Sequence, residues 1–235
     1  MQAIQKVAGL DWRSIAEQLD SHACAVVSGL LAEEECSSLV ASYARDELFR
    51  SRVVMSRHGY GRGEYKYFSY PLPAVVSDLR SALYPPLAEI ANGWYEAMRM
   101  DVRFPSEHAA FLERCHAAGQ SKPTPLLLRY REGDYNCLHQ DLYGEHVFPL
   151  QVAILLAEPG SDFTGGEFVL TEQRPRMQSR AEVVALKRGE GVIFPVRQRP
   201  VRGARGTYRV NLRHGVSCVR SGERTTLGVI FHDAQ

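Results

Sequence analysis

Leu138-His139-Gln140-Asp141 is the stretch of this chain whose residue types can do chemistry together, and His214-Gly215 answers it far downstream. On a β-strand, side chains two apart share a face, so His139 and Asp141 can converge on one point. Brought alongside by the fold, His214 completes a set of two imidazoles and one carboxylate. Three such ligands on one face of a metal ion select non-haem Fe(II) and leave positions open for oxygen. A His-x-Asp tripeptide alone is weak in a chain with eight histidines. Order strengthens it: His139 and Asp141 follow a predicted strand and turn, His214 falls in a late strand, and Arg224 opens the last one. An arginine at that depth offers a two-pronged fork to a carboxylate. A keto acid could chelate iron at one end and pair with Arg224 at the other, with the Tyr130 hydroxyl reaching the same acid. The bland alternative makes both histidines satisfied core residues and Arg224 half of a surface ion pair.

Such residues need a scaffold, and from Leu126 onward the chain reads as strands: 126–131, 147–157, 166–171, 181–186, 191–196, 208–219 and 225–232. Turn formers such as Glu132-Gly133-Asp134, Pro159-Gly160 and Arg188-Gly189-Glu190-Gly191 separate them. Many short strands with glycine and proline turns argue a barrel or a two-sheet jelly roll. Upstream the texture is helical. Asp11 reads as an N-cap for Trp12, Ile15, Ala16 and Leu19 at helical spacing. Residues 22–27 form a short β-type run, and 31–43 return to helix with Glu33, Glu34 and Glu35 where acids suit the helix dipole. Residues 75–100 carry a stripe of Leu79, Leu83, Leu87, Ile90, Trp94 and Met98, with an interruption expected near Pro85-Pro86. Pro105-Ser106 opens another helix. The fold class is therefore α+β: N-terminal supporting helices over 1–122, then a double-stranded β-helix (jelly roll) core over 123–235. No Ser- or Pro-rich linker divides them, so one compact unit is expected.

Residues 50–73 stand apart. Arg50, Arg52, Arg57, His58, Arg62 and Lys66 alternate with Tyr60, Tyr65, Tyr67, Phe68 and Tyr70, around Gly59, Gly61 and Gly63. Basic groups meet phosphates and aromatic faces stack on bases. One reading is a substrate-covering loop or hairpin, with Arg62, Tyr65 and Tyr67 as substrate contacts. The other is an aromatic hairpin that packs on the barrel. A second basic run, Arg197, Arg199, Arg202, Arg205, Arg209 and Arg213, with Arg174, Arg176 and Arg180 upstream, reads either as a phosphate-tracking rim or as a solvated face.

Composition narrows the class. The 235 residues are 45% apolar and 23% charged with a net charge of +1, so no global field draws the chain to DNA or a membrane. Cys24, Cys36, Cys115, Cys137 and Cys218 are scattered, odd in number and without a Cys-x-x-Cys pair, which fits reduced thiols in a cytoplasm. Cys137 shares strand parity with His139, where packing is the ordinary role. No signal segment and no span-length apolar run is visible, so no membrane partner is expected.

The order His-x-Asp, distal His and Arg ten residues on resembles the Fe(II)/2-oxoglutarate-dependent oxygenases. Arg129-Tyr130-Arg131-Glu132-Gly133, continuing to Leu138-His139-Gln140-Asp141, is similar to the AlkB-type nucleic-acid demethylases. His214-Gly215-Val216 with Arg224, and Gly165-Gly166-Glu167-Phe168, look instead like prolyl-hydroxylase-type members. Over nearly its whole length, including Gly61-Arg62-Gly63-Glu64-Tyr65-Lys66-Tyr67, the chain resembles a bacterial oxygenase family labelled as acting on damaged, alkylated DNA. The resemblance implies that His139, Asp141 and His214 bind Fe(II), that Arg224 and Tyr130 bind 2-oxoglutarate with help from Thr226, and that O2 is the second co-substrate. Two positions depart from the AlkB pattern: Leu128 replaces an asparagine and Ile230 a second arginine. Both departures concern keto-acid contacts and nucleobase specificity, not the iron site.

Three functions follow from these readings. One is oxidative demethylation of alkylated DNA or RNA, a DNA-repair chemistry that releases formaldehyde from an N-methyl group. The second is hydroxylation of a protein side chain or small molecule. The third is a non-catalytic nucleic-acid-binding module on the same fold.

Overall fold

The computed structural model describes residues 2–204 and 206–235; Met1 and Arg205 lie outside the described residues. The helices are α1 (Gln2–Ala8), α2 (Trp12–His22), α3 (Glu33–Ser42), α4 (Ala74–Ala97) and α5 (His108–Ala117). The N-terminal strands are β1 (Ala25–Val27), β2 (Phe49–Val54), β3 (Gly61–Arg62) and β4 (Glu64–Phe68). The later strands are β5 (Leu126–Arg131), β6 (Tyr135–His139), β7 (Leu150–Leu155), β8 (Phe163–Gly165), β9 (Phe168–Gln173), β10 (Arg180–Val184), β11 (Gly191–Pro195), β12 (Gln198–Gly203), β13 (Gly206–Val216) and β14 (Val219–Val229).

They form a mixed helix and sheet protein with two antiparallel sheets. The larger runs β1-β11-β7-β14-β5-β4-β2, with β8 also on β14. The smaller runs β10-β9-β13-β6-β3, with β12 also on β13. Alternation decides which face each residue covers. In β7, Leu150, Val152 and Ile154 join a core shared with the helices, while Ala153 and Leu155 turn to a second core. That second core also takes Phe168, Leu170, Val210 and Leu212 from the smaller sheet, so it lies between the two sheets. A sheet covered on both faces needs nearly continuous apolar strands, which is how β7 and β11 read.

Two expectations are corrected. Helix α4 runs unbroken through Pro85 and Pro86. Both prolines are only partly buried, beside exposed Ser81, while Leu79, Leu83, Tyr84 and Leu87 are fully buried. The carbonyls that lose their partners fall on the less buried side, and the buried stripe holds the helix together across the gap. The helical support is also only part of what residues 1–122 supply. β1 pairs with β11, β4 with β5, β2 with β4, and β3 with β6, so the N-terminal half widens both sheets. Asp11 caps α2 as expected, its carboxylate accepting from the Ser14 amide at 3.0 Å.

His108 and His232 are buried among aromatic rings, and burial pushes each pKa down to about 4. In the unfolded chain both take up a proton near the ordinary imidazole value, whereas folded they stay neutral. Stability is therefore full above pH 6.5 and is lost as pH falls toward 4. Each contributes a slope of about 1.4 kcal/mol per pH unit within that window. Urea denaturation at a series of pH values should show this fall, and His108→Gln should make it shallower by one such slope.

Candidate metal centre

The register of β13 on β6 sets His214 directly opposite His139, and the ring centroids stand 4.2 Å apart. Such approach requires a bare backbone next door: a Cβ on Gly215 would lie 2.6 Å from the Asn136 carbonyl oxygen. Strand β6 ends at His139, so Asp141 is not on the strand that its spacing suggested. The chain leaves the sheet at Gln140, whose amide donates to the Leu212 carbonyl at 2.7 Å, and the turn delivers Asp141 to the same point. Asp141 Oδ1 lies 3.4 Å from His139 Nε2, and Oδ2 lies 3.3 Å from His214 Nε2. All three ligand atoms fall within 4.8 Å of one another.

Hydrogen bonds fix how these atoms present themselves. The Cys137 carbonyl can only accept, so the 2.8 Å contact to His139 Nδ1 places the proton there and leaves the Nε2 lone pair facing the other ligands. Cys137 serves through this carbonyl, while its own residue is exposed. Tyr143 donates its hydroxyl to Asp141 Oδ1 at 2.8 Å, and Gln151 donates its amide to Oδ2 at 2.7 Å. Burial would raise the Asp141 pKa, but the two histidines outweigh it and hold the carboxyl well below its ordinary value. Burial lowers His214; at His139 it is outweighed by Asp141 and the Cys137 carbonyl, so that imidazole sits above its ordinary value. Two imidazole nitrogens and an ionised carboxylate converging in this way fit a divalent metal ion.

The same residues line a cavity of about 230 Å³. At its inner end Arg224 is 2% exposed. One guanidinium nitrogen donates to Thr226 Oγ1 at 2.6 Å, its Nε has no partner, and among the described residues no carboxylate pairs with it. Burial pulls its pKa down to about 10 against the weaker opposing influence of Tyr130 and Glu167. A Cβ on Gly166, which has a φ of +64°, would lie 2.9 Å from Arg224 Cδ, so a glycine is needed beside this side chain. Tyr130 is wholly buried, accepts from the Asn136 amide at 3.3 Å, and is kept a neutral hydroxyl by burial. Leu128, opposite Thr226, and Ile230, clustered with Tyr67 and Leu126, also line the cavity, so the two departures noted in the sequence put apolar side chains on its wall.

Of the aromatic stretch, Tyr60, Tyr65 and Tyr67 line the cavity. Tyr65 and Tyr67 meet edge to face with centroids 5.3 Å apart, and the Arg50 guanidinium lies 4.5 Å from the Tyr67 ring centre. Arg62 is not among the lining residues; it points toward Asp134 with its side chain 62% exposed. The second basic run is divided too. Arg199 is 1% exposed and paired with Glu172, so it is structural, and Arg209 donates to the Met98 carbonyl. Sequence reasoning missed Gln151, Tyr143 and Asn136. Gln151 left a signal, since it is the one amide in the apolar run Leu150–Leu155. Tyr143 left another, at the same parity as Asp141.

Residues 63–234 match a family described as an oxygenase, catalysing oxidative methylation of damaged DNA. The chain belongs to that oxygenase family. The matched span contains the three converging ligands with Tyr130, Arg224 and Thr226, and it begins just after Arg62. An uncharacterized protein of Mycobacterium tuberculosis is 51% identical over 190 residues, covering 79% of this chain and 82% of the relative. Among solved structures, a Trichoplax adhaerens prolyl hydroxylase in complex with a hypoxia inducible factor peptide fragment aligns with a TM-score of 0.60 at 12% identity. That alignment covers 97% of this chain and 90% of the other. A 2OG-Fe(II) oxygenase family oxidoreductase from Burkholderia pseudomallei aligns with a TM-score of 0.56 at 17% identity, over 96% and 93% of the two chains. These structures share the fold. Among the described residues no helix is long and apolar enough to cross a membrane.

Gln151 and Tyr143 hold the Asp141 carboxylate from either side, which sets a testable expectation. Titration with Co(II), followed by visible absorption, should show one ion per chain. Gln151→Leu should weaken that binding by about 10–100-fold, the usual cost of removing such a support.

Proposed function

We propose that this protein is an Fe(II)- and 2-oxoglutarate-dependent dioxygenase that oxidatively demethylates alkylated nucleic acid in the cytoplasm. On this reading residues 123–235 are a double-stranded β-helix carrying the catalytic core. Residues 1–122 support it and place the 50–73 segment over the cavity. The observation that carries the reading is the buried Arg224 cation, paired with no carboxylate among the described residues, in the cavity that holds His139, Asp141 and His214. A guanidinium taken out of water is costly unless an anion joins it, and a dicarboxylate keto acid supplies one.

Fe(II) would be held by His139, Asp141 and His214; with 2-oxoglutarate and O2 it supplies hydroxylation of a C–H bond, with release of succinate and carbon dioxide. The chain's own residues bind, orient and exclude water. Arg224 receives the far carboxylate of the keto acid, with Thr226 fixing its guanidinium and the neutral Tyr130 hydroxyl donating to the same group. Leu128, opposite Thr226, gives that end an apolar wall. Tyr65 and Tyr67 are the substrate-facing wall, where flat rings suit a nucleobase. Arg62 lies at the outside edge, as a phosphate contact. On an N-methyl group the hydroxylated product loses formaldehyde.

The family description, which names damaged DNA, supports nucleic acid as substrate. A second reading, hydroxylation of a protein side chain or small molecule, is favoured by Leu128 and Ile230, which leave the cavity with fewer polar groups for a base. Methylated oligonucleotides incubated with the protein, Fe(II) and 2-oxoglutarate decide between them. Formaldehyde and the matching mass loss support the first. A 16-Da gain on a peptide or metabolite with no nucleic-acid turnover, about the mass of one oxygen, supports the second. Succinate production that survives His139→Ala would contradict both. Calorimetry adds a prediction free of the substrate question. Arg224→Met should weaken 2-oxoglutarate binding by about 10²-fold, or about 3 kcal/mol, while leaving metal binding in place.

A further inference from the structure

Behind the loop that carries Asp141 lies a second, larger hollow of about 630 Å³. Leu142, Gly144 and Val147 line it, while Asp141 and Tyr143, on either side of Leu142, line the reaction cavity. Over 141–144 successive residues of this loop line the two cavities in turn, and 145–147 all line the second hollow. That loop is pinned from below by the fully buried Gln120. Its amide donates to the carbonyls of Tyr143 and His146 and its oxygen accepts from the His146 amide.

The hollow combines two chemistries. Its floor is apolar and includes Met98, Met100, Phe104 and Pro149, with Val102 half exposed beside it. Its rim carries Arg103, Arg114 and Arg197 against one carboxylate, Glu145. Arg103 and Arg114 spend donors on backbone carbonyls, as does the neighbouring Arg209. Among the described residues none of these four arginines pairs with a carboxylate. Arg174 and Arg199, by contrast, share Glu172. Arg197 and the half-buried Tyr95 line the same hollow.

We propose that this hollow extends the substrate site and takes the segment of single-stranded nucleic acid adjoining the reacting nucleotide, with a base against the Tyr95 ring and Met100 and phosphates on the arginines. The inference rests on the reading of the protein as a nucleic-acid oxygenase. A single strand offers a flat apolar face and one negative charge per nucleotide, which is the combination this hollow presents. An acidic peptide would meet the charges but leaves the half-buried Tyr95 ring without a stacking partner.

Fluorescence anisotropy with an unmodified thymidine oligonucleotide of about twelve residues, a length within the usual single-strand footprint, tests it across a salt series. The Arg103→Gln/Arg197→Gln variant should bind about tenfold more weakly, and the log–log salt slope should fall by about 1.4, two phosphate contacts at roughly 0.7 each. Photocrosslinking of a thiothymidine oligonucleotide to the unaltered protein, mapped by mass spectrometry, should label Tyr95, Met98 or Met100, and it needs no variant to fold. Unchanged affinity and slope in the variant, with labels confined to the reaction cavity, would overturn the inference while demethylation of methylated oligonucleotides could still proceed. Absence of any oligonucleotide binding by the unaltered protein would remove both this inference and the reading beneath it. Tighter binding of a polyglutamate peptide than of the oligonucleotide, weakened by the same substitutions, would also overturn it and point to a protein partner.

Discussion

Antiparallel pairing of β13 with β6 is the constraint on which the site depends. It puts His214 across from His139, and everything else is arranged around that pair. A slip of one residue would turn every side chain of the strand to the other face, which would part the two imidazoles. The register is held from both sides, because β13 also pairs with β9 along six residue positions. Gly215 lets the two backbones close up where any side chain would collide. Asp141 then has to arrive from outside the sheet, and Gln140, Tyr143 and Gln151 are the groups that bring it and hold it.

The larger sheet supplies the other half of the chemistry. β14 faces β5 with Arg224 opposite Tyr130 and Thr226 opposite Leu128. One pair of strands thus delivers the cation, the hydroxyl that orients it, the phenol and the apolar wall. His139 and His214 come from one sheet and Arg224 from the other, and on the proposed reading the cavity between them is where the metal and the anion site would act on one molecule. Burial makes this arrangement directional: Arg224 is too dry to be content alone, and Asp141 is too firmly paired to take up a proton. The protein therefore spends stability on charges that become fully satisfied only with a bound metal and a bound acid.

Much of this was legible in the residues. The two histidines, the aspartate, Arg224 and Tyr130 stood out by their chemistry and their order along the chain, although the strand spacing that suggested Asp141 does not hold, since β6 ends at His139. The strands of the second half followed from turn formers and apolar runs. What stayed hidden depended on long-range pairing. Residues 22–27 were legible as a β-type run and 50–73 as a candidate hairpin, but the pairing of β1 with β11 and of β4 with β5 is set by partners far along the chain. Pro85 and Pro86 read as a break, because local propensity cannot see the buried stripe that carries α4 through them. Arg199 looked like one more surface arginine in a basic run; its burial against Glu172 is a tertiary fact. Gln151 was visible as a lone amide in an apolar strand, but nothing local said that it faces Asp141.

The most direct measurement mixes the protein with Fe(II) under anaerobic conditions and then adds 2-oxoglutarate while the visible spectrum is recorded. A charge-transfer band that forms only when both are present, with one equivalent of each, and that is absent in His214→Ala, is the predicted result. Keto-acid binding that proceeds equally well without iron, or a band that persists when His214 is removed, would contradict a site built from His139, Asp141 and His214 beside Arg224.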